Sequence, residues 1–395
     1  MSPTTVTPFL ASTVFFSGVA FAAITTYRSI VGIEDLGLSN GLFAGVMTLN
    51  AIAGALTSVF IGWLSDRLPD RRWLVLLCAI AGAAAFAILW LIRTPLAFIS
   101  VFCVLLPLGT ALFSQSFSYS RAYYDKTEPK RSELLMSLLR SGFTLAWIIV
   151  PPAAGWMAGK TSSFSVFGLA MIAHLLATLA VGLLWFAPNT MIAGSQSKGA
   201  SSPSAPLRVT PYKASGISGV VLGKTALQIN LTVLPLIIIR DLGGSLEQVG
   251  LNAGFAALIE MPIMIFWGFL AMRVRKESIL AFTALVFGLY FTCMWFAQSF
   301  IMVLIFQIPA AIAIAGLLSI TISYLQEVFP ERVGLSTSLL DVTTVISAML
   351  AAMIFAVVAG ETYRALMLVG AGLSAVSALL LLFARREPTL TKVTA

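Results

Sequence analysis

Ile33-Glu34-Asp35-Leu36-Gly37-Leu38-Ser39 returns in the second half of the chain as Ile239-Arg240-Asp241-Leu242-Gly243-Gly244-Ser245. At the same offset Gly62, Leu64 and Arg67 return as Gly268, Leu270 and Arg273, so the echo runs without a gap across a whole apolar segment. Self-similarity of this kind marks an architecture assembled from copies of one unit. In a membrane, two copies in the same orientation, each with an even number of spans, are related by an axis along the bilayer normal.

Working outward, the 395 residues are 59% hydrophobic and only 10% charged, with a mean hydropathy of +0.97. A soluble domain is about half apolar and about a quarter charged, so lipid is the natural solvent for this chain. A helix needs about twenty apolar residues to cross a bilayer. About twelve such stretches occur, at roughly 8–32, 41–63, 73–91, 96–119, 133–157, 164–186, 215–239, 248–270, 278–297, 300–323, 336–358 and 363–383. The fold class predicted is an all-α membrane protein with twelve transmembrane helices in two pseudo-symmetric six-helix bundles. The domains predicted are an N-terminal bundle over 1–186, a linker over 187–214 and a C-terminal bundle over 215–395 with a short basic tail. The linker is rich in Ser, Gly and Pro and carries Lys198, Arg208 and Lys213, a composition expected of a flexible cytoplasmic connection.

Met1 to Thr7 contains no Lys or Arg and the following apolar run is longer than a signal h-region, so a retained first helix is expected. The net charge of +8 is explained by topology rather than by a nucleic-acid partner. With both termini inside, the cytoplasmic loops hold about seventeen of the Lys and Arg, and the opposite loops about four (Arg93, Lys160, Arg240, Arg364). Cys78, Cys103, Cys293 and the lone His174 all fall inside spans, where packing is the ordinary role. There is no His-Glu-x-x-His, no Cys and His cluster and no G-x-x-x-x-G-K-[ST] loop, which argues against an enzyme, a metal or cofactor and an ATP-driven pump.

Gly62-Trp63-Leu64-Ser65-Asp66-Arg67-Leu68-Pro69-Asp70-Arg71-Arg72 stands between two apolar helices. It resembles the G-x-L-x-D-R-x-G-R-R/K signature of the major facilitator superfamily, with Pro69-Asp70 in place of one glycine. Gly62 would allow close helix packing, and Asp66 would accept hydrogen bonds from a helix N-terminus or a nearby Arg. With Arg67, Arg71 and Arg72 this reads either as a conformational latch or as charge that enforces topology. Met272 stands where the second copy would carry the aspartate. Ala146-Trp147-Ile148-Ile149-Val150-Pro151-Pro152-Ala153-Ala154-Gly155 resembles the superfamily's antiporter motif, with Ala146 and Val150 replacing glycines. Pro151 and Pro152 must kink helix five and Gly155 lets a neighbour approach, so a hinge is expected there.

Thr48-Leu49-Asn50-Ala51-Ile52-Ala53-Gly54, Leu139-Arg140, Leu145-Ala146-Trp147-Ile148, Leu258-Ile259-Glu260-Met261-Pro262 and Tyr324-Leu325-Gln326-Glu327 resemble the bacterial sugar efflux transporter family within that superfamily. Arg28, Lys224 and Asp341 lie outside the resembled pattern. The resemblance implies a secondary active transporter working by alternating access in a bacterial cytoplasmic membrane. It further implies proton-coupled efflux of sugars or related small polar solutes, with a monomer expected. A multidrug antiporter and a proton-coupled uptake symporter share the architecture and stay open as alternatives.

Only Arg28, Arg140, Lys224, Glu260 and Asp341 bring charge into the spans. Each costs about 2.5–3.5 kcal/mol at the bilayer centre, so each is a functional candidate. Glu260, followed by Pro262, would carry a proton between the two faces, bind sugar hydroxyls, or pair with Arg140, whose helix faces helix eight in the superfamily. Lys224 and Asp341 lie at similar depth on helices seven and eleven and are expected to form a salt bridge. Arg28 either snorkels to the interface or faces an anionic solute. Asn50, Gln115, Gln228, Asn230 and Gln307 lie on helices that the resemblance implies line the cavity. Trp147 would stack on a sugar face; an amide in a span is more often a helix-to-helix hydrogen bond than a ligand contact, and that reading stands beside this one.

Overall fold

The structure, a computed structural model, describes residues 3–187, 189–193, 210–329, 333–360 and 362–385. Among the described residues there are helices and no strand. Twelve helices among them are long and apolar enough to cross a membrane. They are α1 (Val6–Asp35), α2 (Asn40–Arg67), α3 (Arg72–Leu91), α4 (Pro95–Thr127), α5 (Ser132–Lys160) and α6 (Ser165–Phe186). The second group is α7 (Pro211–Asp241), α8 (Leu246–Leu270), α9 (Lys276–Trp295), α10 (Phe300–Val328), α11 (Leu339–Val358) and α12 (Ala365–Ala384).

The echoed heptapeptide folds the same way in both copies. Residues Ile30–Asp35 and Ile237–Asp241 wind as π-helix at the ends of α1 and α7. Leu36 N–H then donates to Val31 O and Leu242 N–H to Ile237 O, both at 3.0 Å. Gly37 and Gly243 follow at φ 67° and 62°, a left-handed conformation that glycine adopts without a Cβ clash. Ser39 and Ser245 cap the next helix, accepting from Leu42 N–H at 3.2 Å and Gln248 N–H at 3.3 Å. The repeat is therefore a repeated turn geometry as well as a repeated string.

The helices form two compact units. One takes in Met1–Ser201 and Leu231–Ala257, the other Ser202–Asn230 and Leu258–Ala395. In the first, α3 packs on α4 and α6, α4 on α5, and α5 on α6. In the second the same pairings recur as α9 with α10 and α12, α10 with α11, and α11 with α12. The clean division expected at the linker is thus crossed by Leu231–Ala257, the far end of α7 and the first half of α8. Lys198 and Arg208 of the expected linker lie outside the described residues, as does the tail beyond Arg385. The start of that linker is anchored rather than free, since Ala187, Thr190 and Ile192 are buried.

Small residues set the closest approaches. A Cβ on Gly109 of α4 would stand 2.6 Å from the Cα of Gly82 on α3, and one on Gly82 would stand 2.0 Å from the ring of His174 on α6. His174 is accordingly a packing residue. Its Nδ1 lies 3.3 Å from Ala170 O and its ring centroid 5.1 Å from that of Phe86. Exposed Trp63 and Trp73 flank the charged α2–α3 turn, while exposed Trp156 at the opposite end of the unit lies under Lys160 Nζ at 4.3 Å. Such amphipathic rings belong at the two membrane interfaces.

Candidate functional site

α2, α5, α8 and α11 are the least buried of the twelve helices, one in every three. Each presents a stripe of exposed apolar residues suited to lipid. On α8 this stripe is Leu251, Phe255, Leu258, Ile265 and Phe269. Glu260 falls on the other side of the helix, about 180° away at 3.6 residues per turn. It is half-buried and makes no hydrogen bond or ion pair among the described residues. An unpaired carboxylate turned away from lipid, near the middle of a span, is the least compensated charge a membrane helix can carry.

On α5 the lipid stripe is Leu134, Leu138, Leu145, Ile149 and Trp156. Arg140 is exposed on a separate face, nearest Ser137 and Thr144 round the helix, and has no ion pair among the described residues. Arg28 on α1 is half-buried with its Nε sequestered and unpartnered, so it does not reach an aqueous surface through that atom.

The salt bridge expected between Lys224 and Asp341 is not made. Lys224 Nζ donates instead to one turn of α11, to Leu340 O at 3.4 Å, to Thr343 Oγ1 at 3.2 Å and to Thr344 Oγ1. These neutral oxygens satisfy the three N–H groups of the ammonium. Asp341 is exposed and has no hydrogen bond or ion pair among the described residues.

The amides divide by environment. Asn230 is buried and its Oδ1 accepts from the Tyr290 hydroxyl of α9 at 2.8 Å. Gln307 is also buried, with Nε2 unpartnered. This is a helix-to-helix arrangement inside the second unit. Gln115 is buried on α4, whereas Asn50 and Gln228 are half-buried, and none of these three makes a side-chain hydrogen bond among the described residues. Trp147 is half-buried and meets the exposed Phe21 edge-on, with centroids 5.8 Å apart.

Pro151 and Pro152 deprive the Trp147 and Ile148 carbonyls of their helical donors. α8 fills the resulting groove with glycine. A Cβ on Gly254 would stand 2.4 Å from Pro152 Cγ and 2.8 Å from Ile148 O, and one on Gly250 2.2 Å from Pro151 O. Gly155 of α5 faces Leu246 O in the same way. The Tyr27 hydroxyl closes the contact by donating to Pro151 O at 2.8 Å, with Leu246 O at 3.3 Å. This packing draws Leu231–Ala257 into the first unit. Tyr27 and the Gly250-x-x-x-Gly254 pair escaped the sequence reading, although a small-x-x-x-small spacing in an apolar helix signals close packing.

In the α2–α3 turn Asp66 pairs with Arg71 at 3.0 Å, and the Arg67 guanidinium lies 3.8 Å from the centroid of the Trp63 ring. Gly62 faces open space. Arg72 is buried and pairs with Asp70 at 2.7 Å. It also donates to Thr190 Oγ1 at 2.9 Å and Leu184 O at 3.2 Å, while Tyr119 Oη donates to Thr190 O at 2.5 Å. Pro69-Asp70, the departure from the signature, thus supplies the counter-ion of a buried arginine that holds the segment after α6. In the second copy, where Met272 replaces the aspartate, Lys276 pairs with Glu327 at 2.5 Å.

The sequence model of the Major Facilitator Superfamily matches residues 10–223 and again residues 216–395. The chain belongs to this superfamily. It is 27% identical over 377 residues to sugar efflux transporter C of Escherichia coli, covering 93% of each chain. It is 28% identical over 329 residues to sugar efflux transporter B of Salmonella typhimurium, covering 82% of this chain and 81% of the relative. A peptide transporter crystallised with alafosfalin has the same fold, with a TM-score of 0.79 at 15% identity over 95% of this chain and 93% of that one. This superfamily member is therefore a multi-pass membrane transporter and not an enzyme.

Proposed function

We propose that this superfamily member exports sugars or related small polar solutes from a bacterial cytoplasm by alternating access, driven by inward proton movement, with both termini cytoplasmic. The observation that carries the reading is Glu260, a carboxylate midway along a span, turned from lipid and without a partner among the described residues. Such a group gains or loses a proton without breaking a structural ion pair, which suits a coupling site. The half-buried Asn50, Gln228 and Trp147 supply amide and aromatic groups of the kind that recognise polyols. The relatives named as sugar efflux transporters support the substrate class.

The test is transport by the purified chain in proteoliposomes across an imposed pH gradient. Wild-type protein is expected to drive labelled sugar uphill as protons run down. Glu260→Gln should lose gradient-driven movement by at least about 10-fold while retaining counterflow exchange. Sugar flux indifferent to the gradient in the wild type would rule out proton coupling.

A further inference from the structure

α11 has two exposed faces of opposite character. Val342, Ile346, Met353 and Val357 form an apolar stripe suited to lipid. Asp341 and Thr344 are exposed as well, about 150° round the helix from that stripe at 3.6 residues per turn. A carboxylate is costly against hydrocarbon, so this second face meets water or polar groups rather than lipid. The exposed polar face is short, because Ala351, Ala352 and Phe355 further along the same side are buried.

The chemistry of that face is set by Lys224. Its ammonium spends its donors on Leu340 O, Thr343 Oγ1 and Thr344 Oγ1. Thr344 in turn spends its own proton on Leu340 O at 2.8 Å. What the turn still offers to water is acceptor capacity alone, namely both oxygens of Asp341 and the remaining lone pair of Thr344. Lys224 and Asp341 are of opposite sign, so the pair adds no net charge to this part of the span.

We propose that Asp341 and Thr344, set in place by Lys224, form an acceptor-only subsite that binds two adjacent hydroxyl groups of a neutral polyol. A carboxylate accepts two hydroxyl donors from neighbouring carbons, and charge-assisted bonds of this kind are stronger than neutral ones. Asp341 and Thr344 touch the solute, whereas Lys224 is a positioning residue. The proposal rests on the reading that the solute is a sugar.

The experiment compares KM for a labelled aldohexose and its monodeoxy analogues, using the full chain in proteoliposomes. The wild type should lose about 10-fold or more in KM when one of the two recognised hydroxyls is removed. Asp341→Asn should weaken the parent sugar by a similar factor and flatten the difference between parent and that analogue. Thr344→Val, nearly isosteric, should do so more weakly, and Thr344→Ser should restore it. Unchanged KM and unchanged deoxy discrimination in Asp341→Asn and Thr344→Val, with sugar still carried, would overturn the subsite alone. A fall in maximal rate with both quantities unchanged would overturn it too, in favour of a structural role. If the wild type carries no sugar, the functional reading fails and the subsite fails with it.

Discussion

Arg72 shows how a single residue changes meaning between sequence and structure. In the sequence it belongs to a run of cations beside a membrane span, where topology or a latch explains it. In the fold its guanidinium is buried on Asp70, Thr190 and Leu184 O. Removing one partner of a buried pair strands the other charge, at a cost of about 3–5 kcal/mol. Asp70→Asn is therefore expected to lower the thermal midpoint in detergent by several degrees. Arg67→Gln, which gives up only an exposed stacking contact with Trp63, should leave it nearly unchanged. Equal midpoints for the two variants would remove the anchoring role from Asp70. The membrane charges themselves were legible, because an ionisable residue in an apolar run stands out in any hydropathy reading. Their partners were not. Thr343 and Thr344 lie far along the chain from Lys224, and nothing local distinguishes them as acceptors from the neighbouring Asp341.

The pairing of α5 with α8 is decided at the scale of the element. The kink was legible, since two consecutive prolines remove two helical donors wherever they occur. The docking partner needed Gly250 and Gly254 to face that kink, and the rotation of α8 about its own axis is set by all its neighbours together. Gly254→Leu would drive a side chain into Pro152 and the Ile148 carbonyl. It should separate the helices, read as a longer distance between spin labels on α5 and the first half of α8. Tyr27→Phe keeps the ring and removes the hydroxyl from Pro151 O, so it should cost about 1 kcal/mol and leave that distance intact. A distance unmoved by Gly254→Leu would mean that the contact is not held by close packing.

For the whole molecule, the charge pattern makes a prediction about sidedness. With Cys78, Cys103 and Cys293 replaced, a single cysteine at the exposed Thr94 should react with a membrane-impermeant maleimide added to intact cells. One at the exposed Pro129 should be protected until the cells are opened. The reverse pattern would invert the proposed orientation and with it the direction of export. The number of spans, the duplication and the positions of the membrane charges were determined by the sequence alone, because apolar length and self-similarity are properties of the string. Tertiary structure decided which face each charge occupies, that Lys224 is satisfied by neutral oxygens, and that Leu231–Ala257 packs with the first six helices. Each of those outcomes depends on helix rotation and on contacts between residues distant in the chain, which hydropathy and spacing do not encode.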